Sequence, residues 1–254
     1  MTESVRVTRE GSTLVITIDR PGVRNAVDMA TALSIMAALE RLDADGSLRV
    51  GVLTGAGGTF SAGMDLRAFL SGESAEVPGR GFAGLTRTPP GKPLVAAVEG
   101  YALAGGFEMV LACDLVVSAD NALFGLPEVK RGLIAGSGGL LRFPQRIPRS
   151  IAMEHALTGE PLPAADAYRW GLVNRLTPPG EALPVALALA AQIACNGPFA
   201  VRVTKQVVNG AAAWSPDDAW ARQDRLLAAI LASQDAQEGA AAFVAKRPPV
   251  WRDS

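Results

Sequence analysis

The chain has 254 residues, of which 49% are hydrophobic and 19% charged, and its formal net charge is −1 at pH 7. This composition predicts one large folded domain, or a core with a small appendage, and excludes an intrinsically disordered chain. The balanced charge, without a long basic run, argues against a nucleic-acid or anionic-membrane surface as the main function.

The N-terminal sequence MTESVRVTRE carries charges where a signal peptide needs its apolar segment. No run of about 18 uncharged apolar residues follows, so we expect no membrane-spanning helix. We therefore expect a soluble cytoplasmic protein. Its two cysteines, Cys113 and Cys195, lie far apart in apolar settings without further Cys or His ligands, and we expect both to be buried and reduced.

The first part of the chain alternates strand and helix patterns. Residues 4–9 and 13–19 predict a β-hairpin, because apolar residues alternate in the second run. Asp28 then caps a helix whose apolar positions recur at helical spacing up to Leu42. Residues 48–55 form a short apolar run of the kind buried in a parallel sheet. This order predicts an α/β fold with a right-handed crossover.

The loop after that strand is rich in glycine and reads GAGGTFSAGMDL. Gly55 and Gly57 begin a dinucleotide-binding fingerprint, but Phe60 occupies the place of its last glycine, so we exclude a Rossmann site. Asp65 is placed to cap a following helix. Residues 71–91 are polar, without periodicity, and predict a loop that forms a wall over a site.

The stretch AAVEGYALAGGFEMVLACD, residues 96–114, predicts a strand, a break at Gly100 and a helix that begins near Gly105 and Gly106. Glu108 lies in the first turn of this helix. The first N–H groups of a helix have no intrahelical partner, so they can bind a developing oxyanion, and glycine permits a close approach. Alternatively, the glycines allow tight packing and Glu108 is a solvated first-turn acid. The stretch alone leaves both interpretations open.

The second half of the chain becomes progressively helical. Two further strands are predicted over 113–120 and 121–125, and helices over 138–146, 149–158 and 163–169. From Pro179 onward only alanine-rich helical patterns remain. We therefore divide the chain into a core, residues 1–190, and a C-terminal helical region, residues 191–254, for which oligomer contacts are one use.

The single histidine limits the available chemistry. A Ser-His-Asp hydrolase would have to use His155 together with a weak serine motif, AGSGG, around Ser137. A histidine within a helical segment is more often a surface or core residue. General acid–base catalysis is then expected to depend mainly on carboxylates.

Three motifs in order, FSAGMDL, EGYALAGGFEMVLACDL and FGLPEVKRGLIAGSGG, resemble the enoyl-CoA hydratase/isomerase (crotonase) superfamily. The resemblance also includes IDRPGVRNAVD near the start and EGAAAFVAKRPPVWR at the end. It implies a crotonase-like spiral of ββα units with a C-terminal helical region that builds trimers, often paired into hexamers. It further implies an acyl-CoA thioester as substrate, with no metal or redox cofactor.

The resemblance also assigns roles to individual residues. The backbone N–H groups of Met64 and Gly105 are expected to form an oxyanion hole for the thioester oxygen. Glu108 and Glu128 match the two glutamates of the family's hydratases, in which two carboxylates in a desolvated pocket divide the acid and base work. The resemblance favours Glu128 as the proton donor and Glu108 as the residue that activates water. Residues matching the CoA and acyl pocket are Val23, Arg24, Ala26, Ala62, Asp65, Leu66, Gly136, Phe243 and Lys246.

Two positions depart from the family pattern. Ala104 stands where many members have a third glycine. The segments GFAGLT and PVWR resemble the carnitinyl-CoA dehydratase branch, whereas Gly136 stands where that branch would have an acidic residue. We therefore expect an enoyl-CoA hydratase, with a dehydratase acting on a polar hydroxyacyl-CoA or a double-bond isomerase as alternatives. A non-catalytic acyl-CoA-binding protein is a further alternative, which the two glutamates disfavour.

Overall fold

A computed structural model describes residues 4–253. Its strands are β1 (Val5–Glu10), β2 (Thr13–Ile18), β3 (Val50–Gly55), β4 (Glu76–Val77), β5 (Gly81–Phe82), β6 (Leu94–Val98), β7 (Tyr101–Leu103), β8 (Leu115–Ala119), β9 (Leu123–Gly125), β10 (Leu162–Pro163) and β11 (Arg175–Thr177). Its α-helices are α1 (Met29–Ala44), α2 (Leu66–Leu70), α3 (Gly105–Ala112), α4 (Gly139–Arg146), α5 (Arg149–Thr158), α6 (Ala164–Arg169), α7 (Ala182–Ala194), α8 (Pro198–Ala211), α9 (Pro216–Leu231) and α10 (Gln234–Val244).

The main sheet has six strands in the order β1-β2-β3-β6-β8-β11. β1 and β2 form the predicted antiparallel hairpin, and each of the other neighbours pairs in parallel. The predicted cap of α1 is confirmed, because the Asp28 side chain accepts the N–H of Thr31. The α/β class is therefore confirmed, and the long strands and helices lie within a few residues of their predicted positions.

A second sheet, in the order β10-β9-β7, was not anticipated from sequence. β7 and β10 have three and two residues, too few to show a periodic pattern. β7 pairs in parallel with β9 and leads directly into α3. Residues 71–91, expected as a plain loop, contain the small hairpin of β4 and β5. These short elements fix the start of α3, and hence Glu108.

Two apolar clusters form the core. In the larger one, Phe107 of α3 contacts the rings of Phe124 and Phe143, with centroids 5.6 and 5.1 Å apart. The second cluster joins α7 to one face of the main sheet, where Ala182, Ala186 and Ala190 pack on valines. Small alanine side chains let the helix approach the sheet closely. The proposed division at residue 190 falls within this helix.

The helices after α7 are much more exposed. No residue of α9 is buried, and α8 buries only Pro198. Cys113 is buried, as expected. The expectation that Cys195 is also buried was wrong, because this residue follows the end of α7 at the surface. None of the helices within residues 4–253 is by itself both long and apolar enough to span a membrane. Taken together, α7 and α8 would be long and apolar enough, but their axes are bent by 108° at the break between them.

Candidate active site

Glu108 is held in the first turn of α3 by two main-chain donors. Its side chain is buried, and Oε1 accepts the N–H of Ser137 at 2.7 Å and of Gly139 at 2.8 Å. Burial raises the pKa of Glu108, the two N–H donors oppose that rise, and the negative charge of Glu76 adds to it. The carboxylate is thus fixed through one oxygen, which leaves Oε2 available to a ligand.

Glu128 lies in the 3-10 turn Pro127–Arg131 and is bound differently. Its Oε2 is buried and, within the described residues, has no hydrogen-bond partner. Burial raises the pKa of Glu128 to about 7, and the nearby charge of Glu108 contributes to the rise. The structure therefore brings together two glutamates that β8 and β9 separate in the chain, and it gives them unequal environments.

The structure also brings the segments of Met64 and Gly105 together. Val27 donates to the carbonyl of Gly63 at 2.8 Å and accepts the N–H of Asp65 at 2.9 Å. Because hydrogen-bonding directions alternate along an extended chain, the N–H of the intervening Met64 points away from Val27. Gly63 has φ +91°, and a Cβ there would lie 2.9 Å from the nitrogen of Gly105. Gly105 is the first residue of α3, so its N–H has no intrahelical acceptor.

Ala104 immediately precedes this helix and has φ +52°. This is a region that glycine enters freely and that costs other residues about 1–3 kcal/mol. The departure from the family's glycine therefore leaves the turn in place but strains it. Such strain is tolerated where the surrounding structure fixes the backbone, and here the N–H of Ala104 is bound to the carbonyl of Gly125 at 2.9 Å.

The turn RPGVRNA lies against the loop after β3. The side-chain amide of Asn25 donates to Ala56 and Thr59 carbonyls at 2.8 and 2.6 Å, and the carbonyl of Arg24 accepts the N–H of Ala62 at 3.0 Å. Sequence reasoning did not single out Asn25, although an Asn in a tight turn is a recognisable signal.

Asp65 caps α2 and is anchored to the same turn. Its carboxylate lies 3.2 Å from the guanidinium of Arg20, which also contacts Asp28 at 2.9 Å. The predicted residues around positions 23–26 and 62–66 therefore form one contiguous surface.

The remaining predicted CoA contacts are distributed unevenly. Ala26 is buried, while Val23 and Leu66 are 40% and 49% exposed beside it. Phe243 is 86% exposed near the end of α10, and Lys246 follows it on the surface. The single chain does not bring Phe243 against the other predicted residues.

Two residues near Glu108, Glu76 and Arg142, were missed as site residues, and Ser137 was considered only as the nucleophile of a hydrolase. The hydroxyl of Ser137 donates to the carboxylate of Glu76, a residue of the β4–β5 hairpin. Arg142 of α4 donates to the carbonyl of Thr86 at 2.6 Å. Burial lowers the pKa of Arg142, and the negative charge of Glu108 opposes part of that shift. The stretch around Glu76 had no periodic signal, so only the tertiary structure shows where its acid lies.

The arrangement does not support a serine hydrolase. His155 Nδ1 lies 2.9 Å from the carbonyl of Glu160, while the hydroxyl of Ser137 is bound to Glu76. Neither contact joins Ser137 to His155, so the structure gives the hydrolase interpretation no support. Within residues 4–253, no three His, Cys, Asp or Glu side chains are grouped so that they would hold a metal ion.

A cavity of about 610 Å³ opens elsewhere, between the hairpin strands, the end of β3 and α7. Residues of both signs line it, including Arg6, Glu10 and Glu99. None of the predicted catalytic or CoA-contacting residues lies on its wall, so volume alone does not identify the site. The two carboxyls with raised pKa values, Glu108 and Glu128, instead mark the candidate site.

Comparisons with known proteins show the family of the chain. A family model described as enoyl-CoA hydratase/isomerase matches residues 8–254. The chain is 42% identical to a carnitinyl-CoA dehydratase of Escherichia coli K12, with 99% of each chain covered. It superposes on a crystal structure of an enoyl-CoA hydratase from Mycobacterium tuberculosis H37Rv with TM-score 0.98 and 53% identity, covering 99% of this chain and 100% of that one. For a carnitinyl-CoA hydratase from Mycobacterium avium the TM-score is 0.81 at 45% identity, with both chains fully covered.

Proposed function

The chain belongs to the enoyl-CoA hydratase/isomerase family, and from that membership we propose that it adds water reversibly across the 2,3 double bond of a 2-trans-enoyl-CoA thioester. The crotonase-like fold expected from the motifs is confirmed by the superpositions. The observation that carries the proposal is the unequal pair of carboxyls, the buried Glu108 and the half-buried Glu128.

The two carboxylates divide the proton transfers. Glu108, fixed through Oε1, accepts a proton from water through its other oxygen, so that the water oxygen forms a bond to the β carbon. Glu128, whose pKa of about 7 keeps a large fraction protonated at neutral pH, delivers its proton to the α carbon. Glu108 gains one proton and Glu128 loses one, so the step balances. Proton exchange between the two acids, or with solvent, restores their starting protonation states.

Negative charge develops on the thioester oxygen as water adds. The N–H groups of Met64 and Gly105 are assigned to that oxygen. The N–H of Met64 points away from its strand partner Val27, and the N–H of Gly105 has no intrahelical acceptor because it begins α3. Preorganised donors of this kind are typically worth about 3 kcal/mol each. Both are main-chain groups, so the identity of the Met64 side chain is not required for the chemistry.

CoA is part of the substrate in this proposal, and no separate cofactor is assigned. The contiguous surface around Arg24, Ala62 and Asp65 supports binding of its adenine and pantetheine portions. Phe243 and Lys246 are assigned to the nucleotide end of a neighbouring subunit's site, since Phe243 is almost fully exposed. Large apolar side chains exposed on α8–α10 support trimer formation, alone or as a dimer of trimers: Val208, Trp220, Leu227, Leu231 and Val244.

Dehydration of a polar 3-hydroxyacyl-CoA is the second candidate, and it uses the same two carboxylates in reverse. It is favoured by relatives named carnitinyl-CoA dehydratase at 42% identity over the whole chain. Double-bond isomerisation requires only one carboxylate to move a proton, so the paired glutamates favour it less.

Crotonyl-CoA provides the direct test, because hydration removes the ultraviolet absorbance of the conjugated thioester. We expect turnover by the wild type, with kcat lowered about 100-fold or more in Glu108→Gln and Glu128→Gln. The conservative amides preserve side-chain size, and circular dichroism checks that the variants are folded. Full activity in Glu128→Gln would contradict the two-carboxylate mechanism.

A further inference from the structure

Arg20 joins the two chain segments that position Met64. Val27 and Met64 form a parallel bridge. An aspartate follows each of them, Asp28 in one segment and Asp65 in the other. A single guanidinium nitrogen of Arg20, Nη2, lies 2.9 Å from Oδ2 of Asp28 and 3.2 Å from Oδ2 of Asp65. The guanidinium therefore connects the two segments immediately after the bridge.

Each aspartate divides its two oxygens between different partners. Oδ1 of Asp28 accepts the N–H of Thr31 at 2.8 Å and its hydroxyl at 2.7 Å, which caps α1. Oδ1 of Asp65 accepts the N–H of Arg67 at 3.1 Å, which caps α2. In both residues Oδ2 binds Arg20. One arginine side chain therefore joins the starts of two helices.

The cluster is shielded from solvent and fixed at its base. The side chains of Arg20, Asp28 and Asp65 are only 21%, 22% and 14% exposed. The main-chain N–H of Arg20 donates to the side-chain oxygen of Asn25 at 2.9 Å, and its Nη1 donates to the carbonyl of Ala26. Charge-assisted contacts are stronger where solvent is partly excluded, so the cluster resists separation of the two segments.

The same contacts limit the orientation of the Met64 peptide. Val27 is hydrogen-bonded to the residues before and after Met64, at 2.8 and 2.9 Å, so the direction of the Met64 N–H depends on how the two segments lie together. Resting on the oxyanion hole of the proposed function, we propose that Arg20 is a positioning residue. Through its two aspartates it holds the Met64 N–H in line with the thioester oxygen.

The infrared frequency of a bound thioester carbonyl tests this role directly. Butanoyl-CoA labelled with carbon-13 at that carbonyl has no double bond to hydrate, and hydrogen bonds to its oxygen lower the C=O stretching frequency. We expect the wild type to lower the frequency below that of the free thioester. Arg20→Gln should move it about halfway back to the free value, because one of the two donors is displaced.

Kinetics with crotonyl-CoA give a second measurement on the same variant. A displaced donor acts mainly where negative charge has developed, so Arg20→Gln should lower kcat about tenfold. Its Kd for butanoyl-CoA should change less than about threefold, since donors of this kind contribute less to binding of the ground state. A purely structural role predicts loss of stability without this separation of kcat from Kd.

Asp28→Asn is a second variant with a smaller effect on folding. Asparagine caps helices as well as aspartate does, so the start of α1 is kept while the charge that faces Arg20 is removed. This variant should move the carbonyl frequency in the same direction and lower kcat about threefold. Adding it to Arg20→Gln should have little further effect, because both residues act in one cluster.

Thr31→Val is the matched control. It removes the hydroxyl bound to Oδ1 of Asp28 and leaves Oδ2 with Arg20, so the carbonyl frequency and kcat should not change. An unchanged frequency in folded Arg20→Gln would overturn the proposal, as would an equal shift in Thr31→Val, which would indicate a general loss of stability. If Arg20→Gln does not fold, an unchanged frequency in Asp28→Asn refutes it.

Failure of the proposed function gives a different pattern. If the wild type does not hydrate crotonyl-CoA but lowers the carbonyl frequency of bound butanoyl-CoA, the hydratase proposal fails, and the frequency in Arg20→Gln still decides the role of Arg20. If the wild type does not bind butanoyl-CoA, or binds it without lowering the frequency, the site has no oxyanion hole for this oxygen and the assignment of Arg20 fails.

Discussion

Glu108 and Glu128 have opposite hydrogen-bonding states within one pocket. Oε1 of Glu108 accepts two main-chain N–H groups, whereas Oε2 of Glu128 is buried without a hydrogen-bond partner in the described part of the chain. Burial raises the pKa of both carboxyls, but two main-chain donors oppose that rise at Glu108, so the two acids can act differently.

The pair predicts a bell-shaped pH dependence of kcat/KM for hydration. Activity requires ionised Glu108 and protonated Glu128, so it should fall as pH rises through about 7, where Glu128 loses its proton. On the acid side it should fall as Glu108 becomes protonated. Initial rates with crotonyl-CoA across a pH series give both limbs, whose apparent pKa values belong to the pair. A profile that continues to rise well above pH 7 would exclude Glu128 as the acid.

Glu128 also predicts that folding stability depends on pH. Its pKa is higher in the folded chain than the usual 4.5, so the folded state binds more protons between about 4.5 and 7. Stability is therefore lost as pH rises through this range, by about 1–2 kcal/mol from this group, since its partial exposure lets solvent screen the charge. Glu128→Gln should be more stable than the wild type at pH 8 but not at pH 4. Urea unfolding at fixed protein concentration measures both differences, and a variant destabilised equally at both pH values would refute the prediction.

Gly63 should be essential because it joins the two halves of the proposed oxyanion hole. A methyl group there would lie 2.9 Å from the nitrogen of Gly105 and from the carbonyl oxygen of Leu103. Gly63→Ala should displace a donor and lower kcat about 100-fold or more. Gly72 provides a control, since its φ of +86° is close to the +91° of Gly63. A methyl group at Gly72 would meet no atom within 4 Å. Gly72→Ala should share the backbone strain and keep its activity; similar losses in both variants would attribute the effect to strain.

Lys205 should anchor α8 to the main sheet. Its ammonium group lies 2.7 Å from the carboxylate of Asp114, which also accepts the N–H of Leu94, and both side chains are mostly buried. Lys205→Met should destabilise the fold by about 2 kcal/mol, since it leaves a poorly solvated carboxylate unpaired.

Adding Asp114→Asn to that variant should cost less than the sum of the single changes, as measured by a denaturant double-mutant cycle. The exposed pair Arg169 and Asp166 gives a comparison, for which Arg169→Met should change stability by less than about 0.5 kcal/mol. Strict additivity at Lys205 and Asp114 would show that the pair does not act as a unit.

The sequence predicted much of the fold and the two glutamates of the candidate site. Long periodic segments, such as β2, α1 and α7, were predicted because each contains enough residues to show its repeat. Glu108 and Glu128 were identified from motifs whose order and spacing resemble those of a known family. The short strands β7, β10 and β11 were missed, since strands of two or three residues exist only by pairing with distant partners.

The sequence alone therefore determined the α/β class, the caps Asp28 and Asp65, and the residue types available for acid–base chemistry, because these depend on local pattern and composition. Only the tertiary structure decided that Glu108 binds Ser137 and Gly139, that Glu128 keeps a buried oxygen without a partner, and that Glu76 reaches the same serine. These facts depend on contacts between residues about 30 to 60 positions apart and on loss of solvent. Burial and distant hydrogen bonds, which leave no local signal, give the two acids their different protonation behaviour.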